Sequence, residues 1–154
     1  MKPSNLLLAA ALVCVAGGST AAGAETGAPT AHASGAAKVE VRHTKIGAIL
    51  TTSLGFTLYE FTKDHGSQDS CVKIKKCLTF WPALQTSGKP VAGAGVSSSL
   101  LSTITLPGGV KQVTYAGHPL YTFKEDSRGE TAYVGEKAFG GNWYALNAAG
   151  HTVK

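Results

Sequence analysis

Charge is scarce in this sequence: Asp, Glu, Lys and Arg make up 15% of the 154 residues, and the net charge is +5. Basic and acidic residues are interspersed, and the one basic cluster is Lys73, Lys75 and Lys76. Nucleic-acid binding requires a basic face joined to a recognisable reading module, so nucleic acid is not an expected partner. Long apolar runs are also lacking. The run from Leu6 to Ala16 is too short to act as a stable bilayer-spanning helix. No nucleophile elbow, phosphate loop or dinucleotide fingerprint is present. His43, His65, His118 and His151 are scattered without metal-ligand spacing, and Asp64 beside His65 does not orient a catalytic dyad. The pattern therefore implies no cofactor and no metal, and does not read as an enzyme. What is abundant is glycine, 19 residues, which suits a turn-rich β protein.

Only three cysteines occur, and the first lies in a stretch that reads as an export signal. Lys2 supplies the positive start, Leu6 to Ala16 the apolar core, and Ala22-Gly23-Ala24 a small-residue cleavage site. Residues 1–24 are thus expected to leave, placing the mature protein in the periplasm or outside the cell. A lipid anchor through Cys14 is the alternative, but Val13 stands where a lipidation signal has a small residue. Cleavage leaves Cys71 and Cys77. In an oxidising compartment an even pair close in sequence reads as a disulfide. The competing reading makes this loop a redox- or metal-associated site, with a nearby histidine such as His65. Residues 25–37 are Gly, Ala, Ser, Thr and Pro with little to bury, and are expected to be a flexible linker.

From Lys38 onward the chain repeats itself. Leu58-Tyr59-Glu60-Phe61-Thr62-Lys63-Asp64 returns as Leu120-Tyr121-Thr122-Phe123-Lys124-Glu125-Asp126. The same constant offset carries Gly55 to Gly117, Trp81 to Trp143, Ala83 to Ala145 and Leu84 to Leu146. Trp81 and Trp143 are the only two tryptophans, so the match is a genuine internal repeat. Short β-like runs fill each copy. In copy one (38–91) these are Val39–His43, Ile46–Thr52 and Phe56–Thr62; in copy two (100–154), Leu101–Leu106, Val110–Tyr115 and Pro119–Phe123. Pro107-Gly108-Gly109 and Ala116-Gly117-His118 read as turns, with His118 exposed. Phe80-Trp81 and Asn142–Leu146 read as a fourth strand in each copy, and Gly88–Ser99 as a connector. The expected fold is all-β: two four-stranded antiparallel units, related by a pseudo-twofold axis and packed as one sandwich or barrel-like domain over residues 38–154.

Strand alternation puts Tyr59 and Phe61 on one face, and Tyr121 and Phe123 on the matching face of the second copy. Asp64 and Asp126 follow just past the strand ends. Two readings stand side by side. In one, the aromatics fill the core, Trp81 and Trp143 pack on them, and the aspartates shape turns or accept the tyrosine hydroxyls. In the other, Tyr59, Phe61, Asp64, Trp81, Tyr121, Phe123, Asp126 and Trp143 line an acid-rimmed aromatic groove that stacks on a ligand ring.

These motifs, with Cys71…Cys77, Trp81-Pro82 and the Gly-Gly-x-Trp at 140–143, resemble a bacterial secreted-repeat family of predicted lipoproteins with a Tyr-x-(Phe/Trp/Tyr)-x-x-Asp motif. The resemblance covers Lys38 to the C-terminus. It implies export and a tandem repeat, and no reaction. This chain departs from the family pattern in its C-x5-C spacing and in Ala83 after Trp81-Pro82. The expected role is an exported, non-catalytic module of the cell envelope or extracellular space, structural or binding, with envelope components or another exported protein as candidate partners.

Overall fold

The structure is a computed structural model that describes residues 35–154. The signal segment, Cys14 and most of the 25–37 linker lie outside the described residues. The chain is mostly β. Its strands are β1 (Lys38–Thr44), β2 (Gly47–Thr52), β3 (Tyr59–Phe61), β4 (Gln85–Thr86), β5 (Val91–Ala92), β6 (Leu101–Thr105), β7 (Lys111–Tyr115), β8 (His118–Pro119), β9 (Lys137–Ala138), β10 (Gly141–Leu146) and β11 (Thr152–Val153). Among the described residues, one short helix, α1 (Cys77–Phe80), and single 3-10 turns interrupt them.

Turn chemistry explains the hairpins. Gly47 takes φ 117° where β1 turns into β2, and the Thr44 hydroxyl donates to the Gly47 carbonyl at 2.8 Å. Gly108 and Gly109 take φ 84° and 81° between β6 and β7, a conformation a Cβ would resist. The β1–β2 pair runs from Val39 opposite Thr52 to Thr44 opposite Gly47, and β6–β7 from Leu101 opposite Tyr115 to Thr105 opposite Lys111.

The strands form three open sheets: β2-β1-β5, β11-β10-β3 with β9 beside β10, and β4-β7-β6 with β8 beside β7. They do not divide by copy. β3 pairs with β10 of the other copy, Trp143 opposite Phe61 and Ala145 opposite Tyr59. The second Leu-Tyr-x-Phe stretch pairs in the same way with residues 80–84: Leu84 donates to Leu120, Thr122 to Pro82 and Lys124 to Phe80, at 2.8–3.0 Å. Tyr59 and Tyr121 meet directly, exchanging both backbone hydrogen bonds at 2.9 and 3.0 Å. Each repeated stretch therefore lies beside its counterpart and beside the tryptophan stretch of the opposite copy.

Three sequence expectations are corrected in detail. Phe80 is the last residue of α1, not the start of a strand: the loop closed by Cys71 and Cys77 runs on into one helical turn, with the Trp81 N–H donating to the Cys77 carbonyl at 2.8 Å, before the chain extends at Ala83. The 88–99 connector contributes β5, which pairs parallel with β1, Lys38 opposite Val91, so not every pairing is antiparallel. Strand structure after β8 shrinks to one bridged residue, Tyr121, which pairs with Tyr59 on one side and Ala83 on the other, since Pro119 cannot donate and the ladder is taken over by residues 80–84.

Two core clusters result from the alternation along the repeated stretches. Leu58 and Leu120 enter an aliphatic cluster with Val39, Leu50, Val113 and Leu146. Tyr59, Phe61, Tyr121 and Phe123 point the other way, into an aromatic cluster with Trp81, Trp143 and both cysteines.

Candidate functional site

The repeated motifs converge on the aromatic cluster. Trp81 and Trp143 stack face to face, centroids 4.0 Å apart and planes within 2°. Phe61 covers the outer face of Trp143 at 4.1 Å, and Phe123 that of Trp81 at 4.4 Å. Tyr59 meets Trp81 edge-on at 5.0 Å, and Tyr121 meets Trp143 edge-on at 5.2 Å. Stacked and edge-on contacts of this kind suit the ring quadrupoles and add to the burial term. The residue exposures are 0% for Tyr59, Tyr121 and Trp143, 1% for Trp81, 2% for Phe61 and 8% for Phe123. A ligand stacking on any of these faces would first have to displace a ring.

The aspartates complete the arrangement across copies. The Tyr59 hydroxyl donates to Asp126, 3.0 and 3.2 Å from its two oxygens, and the Tyr121 hydroxyl donates to Asp64 at 2.9 Å. Each motif thus supplies the tyrosine that the other motif's aspartate receives. Asp64 also accepts the Ser70 backbone N–H at 2.7 Å. Burial pushes the Asp64 carboxyl up to about 6, against hydrogen bonds from Ser70 and Tyr121 that favour its charge. Burial likewise pushes Asp126 up to about 7, with the Tyr59 hydrogen bond opposing. Both tyrosine hydroxyls are held well above the usual phenol range, by burial first and then by the facing carboxylates.

The cysteines flank this cluster. Cys71 and Cys77 form a disulfide, Cα atoms 5.3 Å apart, and both are fully buried. The loop between them carries Lys73, Lys75 and Lys76 outward, all exposed, around a surface hollow of about 360 Å³. Lys76 adopts a left-handed φ of 65° at the start of α1. No group of three or more His, Cys, Asp or Glu side chains is gathered for a metal ion among the described residues.

One polar cluster escaped the sequence reasoning. His118, expected in an exposed turn, lies in β8 and pairs through Nδ1 with Glu60 at 2.8 Å. Glu60 is only 5% exposed and also accepts the Thr152 hydroxyl of β11. Burial opposes its charge, but the hydrogen bonds from His118 and Thr152 outweigh it and hold the carboxyl below its usual range. The Glu60 hydrogen bond in turn raises His118 above its ordinary value, against partial burial. The available signal was Glu60 itself, a charged residue in the middle of a strand otherwise built for burial. Such a residue requires a partner. Nothing in the sequence says that the partner comes from the other copy of the repeat.

Residues 102–147 match the model of a family described as a secreted repeat of unknown function. The matched segment spans β6 through β10 and includes Tyr121, Phe123, Asp126 and Trp143. No curated protein and no solved structure matches the chain.

Proposed function

We propose that this chain is an exported, non-catalytic β module of the cell envelope or extracellular space, built from two pseudo-twofold halves that the repeated motif locks together. The carrying observation is the reciprocity: Tyr59 reaches Asp126 while Tyr121 reaches Asp64, around the Trp81–Trp143 stack. A groove built for catalysis would leave its acids open to substrate. Here both carboxyl groups are occupied by tyrosine hydroxyls and the rings between them are enclosed. On this reading the eight motif residues act as a structural lock, and binding to envelope partners falls to the outward loops.

Export is supported by the description of the matched family, by the signal-like segment 1–24 and by a disulfide that persists in oxidising compartments. Among the described residues no helix is long and apolar enough to cross a membrane. Fractionation of expressing cells, with intact mass measured on the recovered protein, tests the proposal. The expected product begins at Glu25, lies outside the cytoplasm and gains two hydrogens' mass on reduction. A full-length cytoplasmic product with all three thiols free would refute it.

A further inference from the structure

Four buried rings form an unbroken line between two carboxyl groups. Asp126 accepts the Tyr59 hydroxyl, and Tyr59 meets Trp81 at 5.0 Å. Trp81 stacks on Trp143 at 4.0 Å, Trp143 meets Tyr121 at 5.2 Å, and the Tyr121 hydroxyl donates to Asp64. Indoles and phenols are the aromatic side chains that give up an electron most readily. Phenylalanine does not, and Phe61 and Phe123 cover the two outer faces of the tryptophan pair. These four oxidisable rings are thus in mutual contact, with a phenylalanine on each outer face of the stack and Tyr133 beyond Phe123 at 4.2 Å. An oxidised phenol becomes strongly acidic and must release its proton, so a buried tyrosine can be oxidised only where a base waits for that proton. Both tyrosines have such a base at hydrogen-bond distance. A purely apolar core would gain nothing from either hydroxyl, since burying a phenol with its acceptor costs desolvation that phenylalanine avoids.

We propose that Tyr59, Trp81, Trp143 and Tyr121 form a one-electron relay that accepts an oxidising equivalent from a strong oxidant outside the fold, of the class of oxygen-centred radicals, and holds it as a neutral tyrosyl radical. This activity goes beyond the locking role of the motif. In the capturing step the oxidant gains one electron, Tyr121 loses it, and the phenol proton passes to the Asp64 carboxylate. The products are the reduced oxidant, a neutral Tyr121 radical and a protonated Asp64. Transfer along the line then moves one electron from Tyr59 through Trp81 and Trp143 to Tyr121. The proton returns from Asp64 to Tyr121, while the Tyr59 proton passes to Asp126. Electrons, protons and charge balance in each step, and the two ends are chemically alike. The Tyr121 end is the entrance, because the Tyr121–Asp64 bond is partly exposed while the Tyr59–Asp126 bond is buried.

The carboxylates act as bases only when ionised, so radical yield should rise with pH through about 6 for Asp64 and about 7 for Asp126. The titratable groups around Asp64 are Tyr121, Asp69 and His118, and those around Asp126 are Tyr59, Glu130 and Tyr133.

Flash oxidation tests the proposal. The folded, disulfide-bonded protein is mixed with a ruthenium tris-bipyridine photosensitiser and a ruthenium hexaammine quencher, and radicals are followed by transient absorption and electron paramagnetic resonance. The expected product is a tyrosyl radical whose yield climbs between pH 5 and 8. It should survive in Tyr59→Phe and in Tyr121→Phe singly, and give way to a tryptophan radical in the double variant. In the Tyr59→Phe background, where Tyr121 is the relay's remaining tyrosine, Asp64→Asn/Asp69→Asn keeps carbonyl acceptors but removes both carboxylates beside Tyr121, and should slow tyrosyl formation roughly tenfold or more. A tyrosyl signal of wild-type size in Tyr59→Phe/Tyr121→Phe would assign it to Tyr115, Tyr133 or Tyr144 and overturn the proposal. A folded wild type that yields no tyrosyl radical at pH 8 would overturn it equally. Circular dichroism on each variant establishes that it is folded, and the conservative tyrosine pair serves if the asparagine variant is not.

Discussion

Replacing Asp126 by asparagine should make the protein less sensitive to pH, and the direction is unusual. Asp126 is 6% exposed, and burial lifts its carboxyl from an ordinary 3.8 to about 7 in the folded state. A raised acid binds its proton more tightly folded than unfolded, so folding is favoured at low pH. That stability is fully present below the unfolded value near 3.8 and is lost as pH rises through about 7. A shift of this size is worth about 4 kcal/mol in full, of which about 2.5 kcal/mol is lost between pH 5 and 8. Asp64, raised to about 6, contributes in the same sense. So does His118, whose raised value makes its pairing with Glu60 weaken as pH rises. Glu60 acts oppositely, being lowered, and loses its contribution only as pH falls through the acid range. An asparagine in place of Asp126 would still accept the Tyr59 hydroxyl through its amide oxygen but would not titrate. Urea unfolding of both proteins at pH 5, 6.5 and 8 isolates the Asp126 contribution, because the other groups cancel in the difference. The variant should gain about 2.5 kcal/mol on the wild type across that range. Identical pH slopes for the two proteins, or a wild type that gains stability from pH 5 to 8, would refute the reasoning.

The same geometry sets three other outcomes. Phe61→Ala removes a ring stacked on Trp143 and buried to 2%, and should cost about 3–5 kcal/mol in urea melts. His118→Ala leaves the Glu60 carboxylate buried with one fewer partner, but the histidine is 41% exposed and Thr152 remains, so it should cost about 1–2 kcal/mol at pH 6, shrinking at pH 8 where the histidine is less charged. Cys71→Ser/Cys77→Ser opens a bridge between residues separated by 6 positions and should cost about 2 kcal/mol, read as a lower Tm.

Short alternating runs and glycine-rich turns made the mostly-β character legible in advance, but not the three open sheets that mix the two copies. Alternation along Leu58–Phe61 correctly separates the leucine from the aromatic face, because period two is a local property of any strand. The turns at Gly108 and Gly117 follow from residues that tolerate positive φ, whereas the turn at Gly47 fell inside the run expected to be a strand. Aspartate as acceptor for a tyrosine hydroxyl was foreseeable, since a buried phenol needs a partner. Which aspartate serves which tyrosine was not. Both motifs offer the same chemistry, and only the pairing of β3 with β10 decides that the bond crosses between copies. Phe80 misled for a related reason. Its apolar neighbours suit a strand, but the helical turn that starts at Cys77, where the bridged loop closes, runs through Phe80. His118 was misread because its turn position says nothing about Glu60, which reaches it from a different part of the chain.

The central claim is that the two halves hold each other through exchanged strands and reciprocal tyrosine–aspartate bonds, and not merely through the connecting chain. Cutting that chain tests it most directly. A protease site inserted at Ser98, exposed in the connector between β5 and β6, allows cleavage of the folded protein without removing any motif residue. The account predicts that the two fragments co-elute as one species in native buffer and lose their native tryptophan fluorescence in a single urea transition. Fragments that separate in native buffer, or that unfold in two independent transitions, would contradict it.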